Sequence, residues 1–251
     1  MTSTQTPPHT ESDYSAGVMG ADYADGRITK PHLKFRLKVR AEVALGGYQK
    51  FHPKQNPNKV LSLGAAEGAT LLYLNDLIGG QGQLDGIELS DELLGAAPPM
   101  PSNVSLIKGN VMDLPEDLEE GSYDLVIALA VLEHLSDPLM CVREAYRMLR
   151  PGGVFVATCP HPFWDDVAGK FGLVKDEHHE SAVNLERMQA FCRGAGFSKV
   201  SGDPFMWVVT GFLPYLGINL NPTLSLRIDS LIRFAKPFHF SFVNQVVVAQ
   251  K

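Results

Sequence analysis

The chain has 251 residues, of which 45% are hydrophobic and 20% are charged, a composition typical of a globular protein with one substantial core. The formal net charge of −6 argues against nucleic acid as the main partner, because binding to phosphate groups needs clustered lysine and arginine. Cys141, Cys159 and Cys192 are widely spaced, which predicts reduced, mostly buried thiols in a cytoplasmic protein. Residues 1–11 have neither the basic nor the apolar region of a signal peptide.

The N-terminal region divides into a tail and a helical cap. Residues 1–30 are rich in Thr, Ser, Pro, Gly and Asp, so we predict a flexible tail there. Residues 31–251 are predicted to form a single domain that begins with a helical cap over residues 31–58. Apolar residues recur at a helical period from Pro31 to Lys50. The basic residues that alternate with them are interpreted as a solvated helix face: Lys34, Arg36, Lys38 and Arg40.

The cofactor-binding core, predicted over residues 59–204, opens with a strand, a tight turn and a helix. The strand Val60–Leu63 leads into the Gly-rich turn Gly64–Gly68, and a helical stretch begins at Thr70. The two terminal glycines of the turn lack a Cβ, so the backbone can turn sharply and pass close to a ligand. Ala65 and Ala66 are expected to keep the turn small without requiring a positive φ.

The remainder of the core alternates short strands with helices. Further strands are predicted at residues 82–88, 104–108, 123–130, 154–158, 197–200 and 242–249. Helices are predicted to follow the capping residues Ser90, Asp137, Asn184 and Asn221. The run 123–130 is almost entirely apolar, which is typical of a central strand buried on both faces. This alternation predicts an α/β fold with a doubly wound parallel sheet.

The order of the motifs resembles class I S-adenosylmethionine-dependent methyltransferases, within the broad small-molecule (type 11-like) group that includes ubiquinone-pathway methyltransferases. The resemblance covers the chain from Lys59 to Val200. It is carried by Val60–Gly68, Gly86–Ser90, Gly109–Pro115, Tyr123–Val126, Val131–Leu135 and Leu149–Gly153. It implies a Rossmann-like sheet of seven strands with an antiparallel last strand, and S-adenosyl-L-methionine as the cofactor.

The resemblance also implies a cofactor site at the carboxyl ends of the strands, where such sheets bind ligands. The implied cofactor-binding residues are Gly64, Ala65, Ala66, Gly68, Glu88, Leu89, Asn110, Val111, Asp113, Leu129 and Ala130. Glu88 can accept hydrogen bonds from the ribose hydroxyls. Asn110 and the Val111 backbone would contact the adenine edge, with Asp113 as the rival for that role.

Two positions depart from the family pattern. Ser62 stands where the family usually has an acid that helps to orient the methionine amino group, and Ala66 stands where it usually has a glycine. Glu67, or an arginine of the N-terminal helix such as Arg36, could compensate for the missing acid.

Methyl transfer needs a base only when the acceptor must lose a proton. The candidate catalytic residues are His161, which follows the fifth strand, and His134, which follows the fourth; His178 and His179 are further candidates. Some related enzymes bind a divalent ion through E-x-x-E-H after the fourth strand. Here Ala130 replaces the first acid of that pattern, so we predict no metal.

Residues 205–238 form an apolar insertion before the last strand, residues 239–251. No charged residue occurs from Phe205 to Leu226, but glycines and prolines interrupt the run, so a transmembrane helix is not expected, and contact with a membrane surface stays open. The following helix is predicted to carry Leu224, Ile228, Leu231, Ile232 and Ala235 on one face. That face either packs on the sheet or belongs to a lid lined by Trp207, Phe212 and Tyr215.

The predicted function is methyl transfer to oxygen, carbon or nitrogen of a small-molecule or lipid-linked acceptor. One alternative is a non-catalytic regulatory or scaffolding module that binds S-adenosylmethionine. The other is a nicotinamide-dependent oxidoreductase, which is disfavoured because Gly64-x-Ala66-x-Gly68 does not match G-x-G-x-x-G.

Overall fold

The computed structural model describes residues 21–170, 183–234 and 236–251. Its α-helices are α1 (Ala21–Thr29), α2 (Pro31–Phe51), α3 (Ala69–Leu77), α4 (Asp91–Gly95), α5 (Pro138–Met148), α6 (Pro162–Lys170), α7 (Leu185–Ala195), α8 (Val208–Phe212) and α9 (Pro222–Arg233). Its strands are β1 (Lys59–Leu63), β2 (Gln83–Glu88), β3 (Val104–Lys108), β4 (Tyr123–Leu129), β5 (Leu149–Pro160), β6 (Lys199–Trp207) and β7 (Phe242–Gln250). Short 3₁₀ helices cover Leu132–His134, Leu213–Leu216 and Lys236–Ser241.

The described strands form one seven-stranded sheet in the order β3-β2-β1-β4-β5-β7-β6. Strands β1 to β5 pair in parallel, and β7 runs antiparallel between β5 and β6. The predicted doubly wound sheet with an antiparallel last strand is therefore confirmed. The strand order reverses between β1 and β4, and ligands of such sheets bind at this switch point.

Two apolar layers cover the sheet. Helices α2 and α3 pack on one of them, and α5 and α7 pack on the other. The central strand β4 is buried from Tyr123 to Ala128, as its apolar run predicts. Cys141, Cys159 and Cys192 form no disulfide and all are buried, in agreement with the sequence analysis.

Helix α1 occupies the end of the segment that the sequence assigned to a flexible tail. Residues 1–20 lie outside the described part, so flexibility there stays a prediction. Helix α2 is buried on several sides because it packs against α3, β5, β7 and α9. The interpretation of Arg36 and Arg40 as part of a solvated face is wrong, because the Nε atoms of both are buried. Lys34 is exposed, as expected.

Asp124 connects β1, β4 and β5 by hydrogen bonds at the edge of the sheet opposite the carboxyl ends of its parallel strands. Its carboxylate accepts hydrogen bonds from the backbone amides of Asn58 (2.7 Å) and Lys59 (2.9 Å) and from Arg150 Nε. Burial alone would raise the pKa of Asp124, but these hydrogen bonds outweigh burial and hold the pKa below its usual value. Two of the family motifs, Tyr123–Val126 and Leu149–Gly153, therefore meet in a structural ion pair.

Strand β6 is longer than the predicted strand 197–200 and reaches Trp207. Its ladder with β7 runs from the pair Lys199 and Gln250 to the pair Trp207 and Phe242. The strand continues because the uncharged residues after Asp203 find backbone partners on β7, which the local pattern could not show. The inserted segment accordingly begins at α8.

Helix α9 has its predicted cap but not its predicted orientation. Asn221 Oδ1 accepts a hydrogen bond from the Leu224 amide, and Pro222 occupies the first turn. The buried side chains of α9 are Ser225 and Asp229, whereas Leu224 and Leu231 are exposed. Of the two alternatives for the apolar face, packing on the sheet does not hold for Leu224 and Leu231, because the end of β6 takes Asp229 instead. Ile228 and Ile232 are half-buried, and Ala235 lies outside the described residues. None of the described helices is long and apolar enough to cross a bilayer.

Candidate active site

The parallel strands end in register at one edge of the sheet. Leu63 pairs with both Ile87 and Ala128, so the residues that follow, Gly64, Glu88 and Leu129, share the next row. Leu129 in turn lies opposite Thr158 on β5. The structure therefore brings the predicted cofactor residues of three separate strands together at the switch point.

The turn between β1 and α3 has the tight backbone that the glycines predict. Gly64 and Gly68 have φ values of 69° and 82°, and a Cβ on Gly68 would lie 2.4 Å from Met100 Cε. The amides of Gly64 and Ala65 both donate to Ile87 O at 2.9 Å. The expectation for Ala66 is wrong, since its φ is 51°. This position favours glycine, so the alanine holds a strained backbone beside the site.

Glu88 is fixed by backbone amides at the centre of this edge. Its Oε2 accepts from the Ala66 amide at 2.8 Å, and its Oε1 accepts from the Leu89 and Ser90 amides at 2.8 and 2.9 Å. The residue is 9% exposed. A carboxylate has about four acceptor positions, so three amides orient this group and leave capacity for a hydroxyl of a ligand.

The turn after β3 lies next to Glu88, because the Gly109 amide donates to Glu88 O at 3.0 Å. Asn110 Oδ1 accepts from the Met112 amide at 2.9 Å, so its side chain stabilises the turn itself. Val111 is buried and Asp113 is exposed. The turn thus offers an apolar wall at Val111 and keeps the Asn110 amide nitrogen for a ligand, which favours these residues over Asp113.

The end of β4 makes a second strained turn. Ala130 has a φ of 58°, and its amide donates to Thr158 O (3.0 Å) and Thr158 Oγ1 (3.1 Å). The 3₁₀ helix that follows carries buried Glu133 and half-buried His134. His134 therefore lies just beyond the edge that holds Leu129.

Glu67 of the turn meets an arginine that the sequence analysis missed. Arg27 Nε of α1 lies 3.1 Å from Glu67 Oε1, and Arg27 Nη2 donates to Thr70 Oγ1 at 2.7 Å. The Glu67 side chain is fully buried, and burial raises its pKa although Arg27 opposes the shift. A hydrogen bond from the Glu67 backbone also opposes the shift. Ala24 packs on Ala66, so α1 lies against the Gly-rich turn.

His161 follows β5, and its amide donates to Val243 O at 2.9 Å. Burial lowers the pKa of the imidazole, which favours the neutral form. Its Nδ1 accepts from the Phe163 amide at 3.3 Å, which assigns the proton of the neutral ring to Nε2. In this tautomer Nε2 presents a hydrogen-bond donor. His178 and His179 lie outside the described residues.

Helix α2 reaches the same corner of the sheet as His161. Arg40 Nη2 donates to Asn244 Oδ1 at 3.2 Å, and Asn244 lies opposite Pro160, the residue before His161. This contact joins residues 204 positions apart in the chain. The sequence placed Arg40 on a helix but gave no signal for its partner.

The predicted acceptor-side residues Phe212 and Tyr215 form a stack that continues onto α2. The two rings lie 5.5 Å apart, and the Tyr215 ring lies 4.0 Å from the ring of His32. Burial, with Arg36 and Lys30 nearby, lowers the pKa of His32. Trp207 lies at the end of β6, and its amide donates to Asp229. His32 is a further residue that the sequence analysis missed.

The comparisons with known proteins give one family model, several curated relatives and many solved structures. A profile described as "Methyltransferase domain" matches residues 61–157. The chain is 32% identical over 105 residues to the arsenite methyltransferase of Aquipseudomonas alcaligenes, which covers 38% of this chain and 30% of that protein. The chain spans less than half of the length of the first curated relatives that it matches.

Two solved structures are similar in fold. A methyltransferase of Haloferax volcanii, in complex with the Trm112 methyltransferase activator, has a TM-score of 0.63 at 20% identity and covers 92% of this chain and 96% of its own. The plantazolicin methyltransferase BpumL, in complex with SAH, has a TM-score of 0.62 at 15% identity and covers 92% and 95%.

These likenesses agree with the observed fold. The matched residues contain the end of β1, strands β2 to β4, the Gly-rich turn and Glu88, and the fold of the solved structures extends over 92% of the chain. Residues 61–157 therefore match a methyltransferase domain, and the described chain has the fold of these solved methyltransferases.

Proposed function

We propose that this protein transfers the methyl group of S-adenosylmethionine to a small-molecule or lipid-linked acceptor. The observation that carries the proposal is the fixed Glu88 carboxylate, which lies in one row with the Gly-rich turn. BpumL, a structural neighbour, was solved with SAH, and its fold supports the same cofactor here.

The residues at the edge of the sheet fit this cofactor. Glu88 would bind the ribose hydroxyls, Leu89 and Val111 would flank the adenine, and the backbone of Gly64–Gly68 would approach the methionine portion. The strained φ of Ala66 supports this assignment, because such strain clusters at ligand-binding turns.

Arg27 and Glu67 carry charges opposite to those of the methionine tail, which has a carboxylate and an ammonium group. The family acid is replaced by Ser62, but Glu67 places a buried carboxylate in the same turn, with acceptor capacity unused. We therefore assign the amino group of the cofactor to Glu67 and its carboxylate to Arg27. A buried ion pair of this kind offers both charges that a zwitterionic ligand needs.

The protein then has to hold an acceptor and exclude water. S-adenosylmethionine supplies an activated methyl group on a sulfonium, so alignment of the acceptor provides much of the rate. His161 is placed to hydrogen-bond the acceptor through Nε2, and it can act as a base only after its proton moves to Nδ1. Trp207, Phe212 and Tyr215 would surround the apolar part of the acceptor.

The test is methyl transfer from radiolabelled S-adenosylmethionine to a panel of phenols, amines, carboxylic acids and extracted lipids. The account predicts label in at least one acceptor and loss of that label in the Glu88→Ala variant. A matched control is Glu116→Ala, which removes an exposed acid. Tight cofactor binding without transfer to any member of the panel would favour the non-catalytic alternative.

A further inference from the structure

The inserted segment leaves an unusual apolar surface exposed. Phe234 is 95% exposed, and four more large apolar side chains of α9 and the following 3₁₀ helix are about half exposed or more: Leu224 (48%), Leu231 (78%), Phe238 (54%) and Phe240 (63%). We call these five residues the phenylalanine face. An exposed apolar cluster of this kind marks an interaction surface more often than chance.

The orientation of α9 that exposes this face is fixed by hydrogen bonds. The Asp229 carboxylate accepts from the Met206 amide at 2.6 Å and from the Trp207 amide at 2.9 Å. Ser225, one turn earlier, is fully buried. Leu224, Leu231 and Phe234 lie at positions i, i+7 and i+10, so they share the opposite side of the helix. The helix therefore packs Ser225 and Asp229 against the end of β6 and presents Leu224 and Leu231 on the side away from them.

Helix α6 extends the same surface. Trp164 Nε1 donates to Phe240 O at 2.7 Å, and the Phe163 ring packs edge-on against Trp164 at 5.3 Å. Phe163 is itself 55% exposed. Helix α6 also carries an exposed acid, Asp166.

The charge of the C-terminal segment is opposite to that of the whole chain. From Pro204 to Lys251 the sequence has one acid, Asp229, and four basic residues, although the chain has a net charge of −6. The single acid is buried and bound to backbone amides. Arg227 is exposed, three residues after Leu224 and four before Leu231. Arg233 instead donates to Pro204 O at 3.4 Å, and Lys251 donates to Tyr146 O and Leu149 O at 2.7 Å.

We infer that the phenylalanine face binds the surface of an anionic lipid bilayer. Its apolar side chains would enter the interfacial region while the exposed Arg227 contacts anionic headgroups. A second copy of the chain on this face is the alternative, and the test below separates it from a bilayer. The inference is independent of the proposed function, since it needs neither cofactor nor acceptor.

The test is flotation of the full-length protein with two kinds of vesicle, without cofactor. One kind contains equal amounts of phosphatidylcholine and phosphatidylglycerol, and the other contains phosphatidylcholine alone. We expect binding to the anionic vesicles, weakened about tenfold or more by the double substitution Leu231→Ser and Phe234→Ser. Arg227→Glu should weaken the same binding about fivefold or more, in a salt-dependent way.

The matched control is Met140→Ser, which changes a residue that is 40% exposed on α5, in the other layer of the fold. This substitution should leave vesicle binding unchanged, and an unchanged thermal midpoint would show that every variant is folded. Equal binding of the parent protein to both kinds of vesicle would overturn the inference. So would a concentration-dependent dimer, seen by sedimentation, that the double substitution abolishes while no vesicles are bound.

Discussion

In the proposed site, single side chains at the strand ends should decide how tightly S-adenosylmethionine binds. Replacing Glu88 with alanine should weaken S-adenosylmethionine binding roughly 10- to 150-fold, because charge-assisted hydrogen bonds contribute about 1.5–3 kcal/mol. Isothermal titration measures the effect, with Glu116→Ala as the control. The variant also loses the acceptor of three amides, so its folded fraction has to be measured. A folded variant with the parent affinity would remove Glu88 from the site.

Glu67 can be tested with two ligands that differ only at the methionine tail. Glu67→Gln should weaken S-adenosylhomocysteine binding about tenfold or more, and should leave methylthioadenosine, which lacks the amino acid portion, nearly unaffected. The pKa of Glu67 is raised, so the parent protein should lose affinity for S-adenosylhomocysteine as the pH falls through that pKa, because a protonated carboxyl group no longer attracts an ammonium. Equal losses for the two ligands would show a structural role instead.

His161 offers a choice between donating a hydrogen bond and accepting a proton. If it acts as a base, His161→Ala should lower turnover by about 10²–10⁴ at nearly constant cofactor affinity. His161→Gln separates the roles, since glutamine keeps an N–H donor but cannot take a proton. Turnover close to that of the parent in the glutamine variant would assign donation, and parent-like turnover in both variants would direct attention to His134.

The sequence could predict residues whose role follows from their own chemistry. Gly64, Gly68 and Glu88 lie where their spacing places them. The positive φ of Ala66 was not predictable, because alanine carries no signal for that conformation. Arg27 and the contact of Arg40 with Asn244 were missed because the partners lie 40 or more positions away in the chain.

At the scale of elements, the inserted segment is the part whose role most needs a test. Strand β6 extends to Trp207, so a linker of glycine and serine should replace residues 208–234 only. If the segment is a lid, the variant stays folded and binds S-adenosylmethionine, but no longer methylates an apolar acceptor. Circular dichroism and titration check the two parts of this result. Loss of folding and of cofactor binding together would show that the segment belongs to the core.

Helix starts were predicted well because the capping residue is local. The side chains of Ser90, Asn184 and Asn221 each accept an amide of the first turn, as expected. The orientation of α9 was not predictable, because periodicity identifies an apolar face but not what covers it. In α9 the side that carries Asp229 is buried, because the Asp229 carboxylate accepts hydrogen bonds from two backbone amides at the end of β6.

At the scale of the whole molecule, Asp124 and Arg150 connect β1, β4 and β5. Asp124→Asn should lower the free energy of unfolding at neutral pH by about 1–3 kcal/mol, since buried amides lose a charged acceptor. The folded-state pKa of Asp124 lies below its unfolded value, so this stability is present above the unfolded pKa and is lost as the pH falls. Urea unfolding curves of parent and variant should therefore converge at acid pH.

The control for this prediction is Glu119→Gln, which breaks the ion pair with Lys59 at a position whose side chain is 76% exposed. A surface pair of this kind contributes at most about 1 kcal/mol. The role given to Asp124 would be contradicted if the free energies of unfolding of Asp124→Asn and the parent differed by the same amount at every pH.

The most direct measurement is a crystal structure of the protein with S-adenosylhomocysteine. The account predicts the ribose hydroxyls within hydrogen-bond distance of Glu88 and the adenine beside Val111. It also predicts the amino acid tail over the turn Gly64–Gly68, between Arg27 and Glu67. A ligand bound away from the carboxyl ends of β1 and β2, or a tail that contacts neither Arg27 nor Glu67, would contradict it.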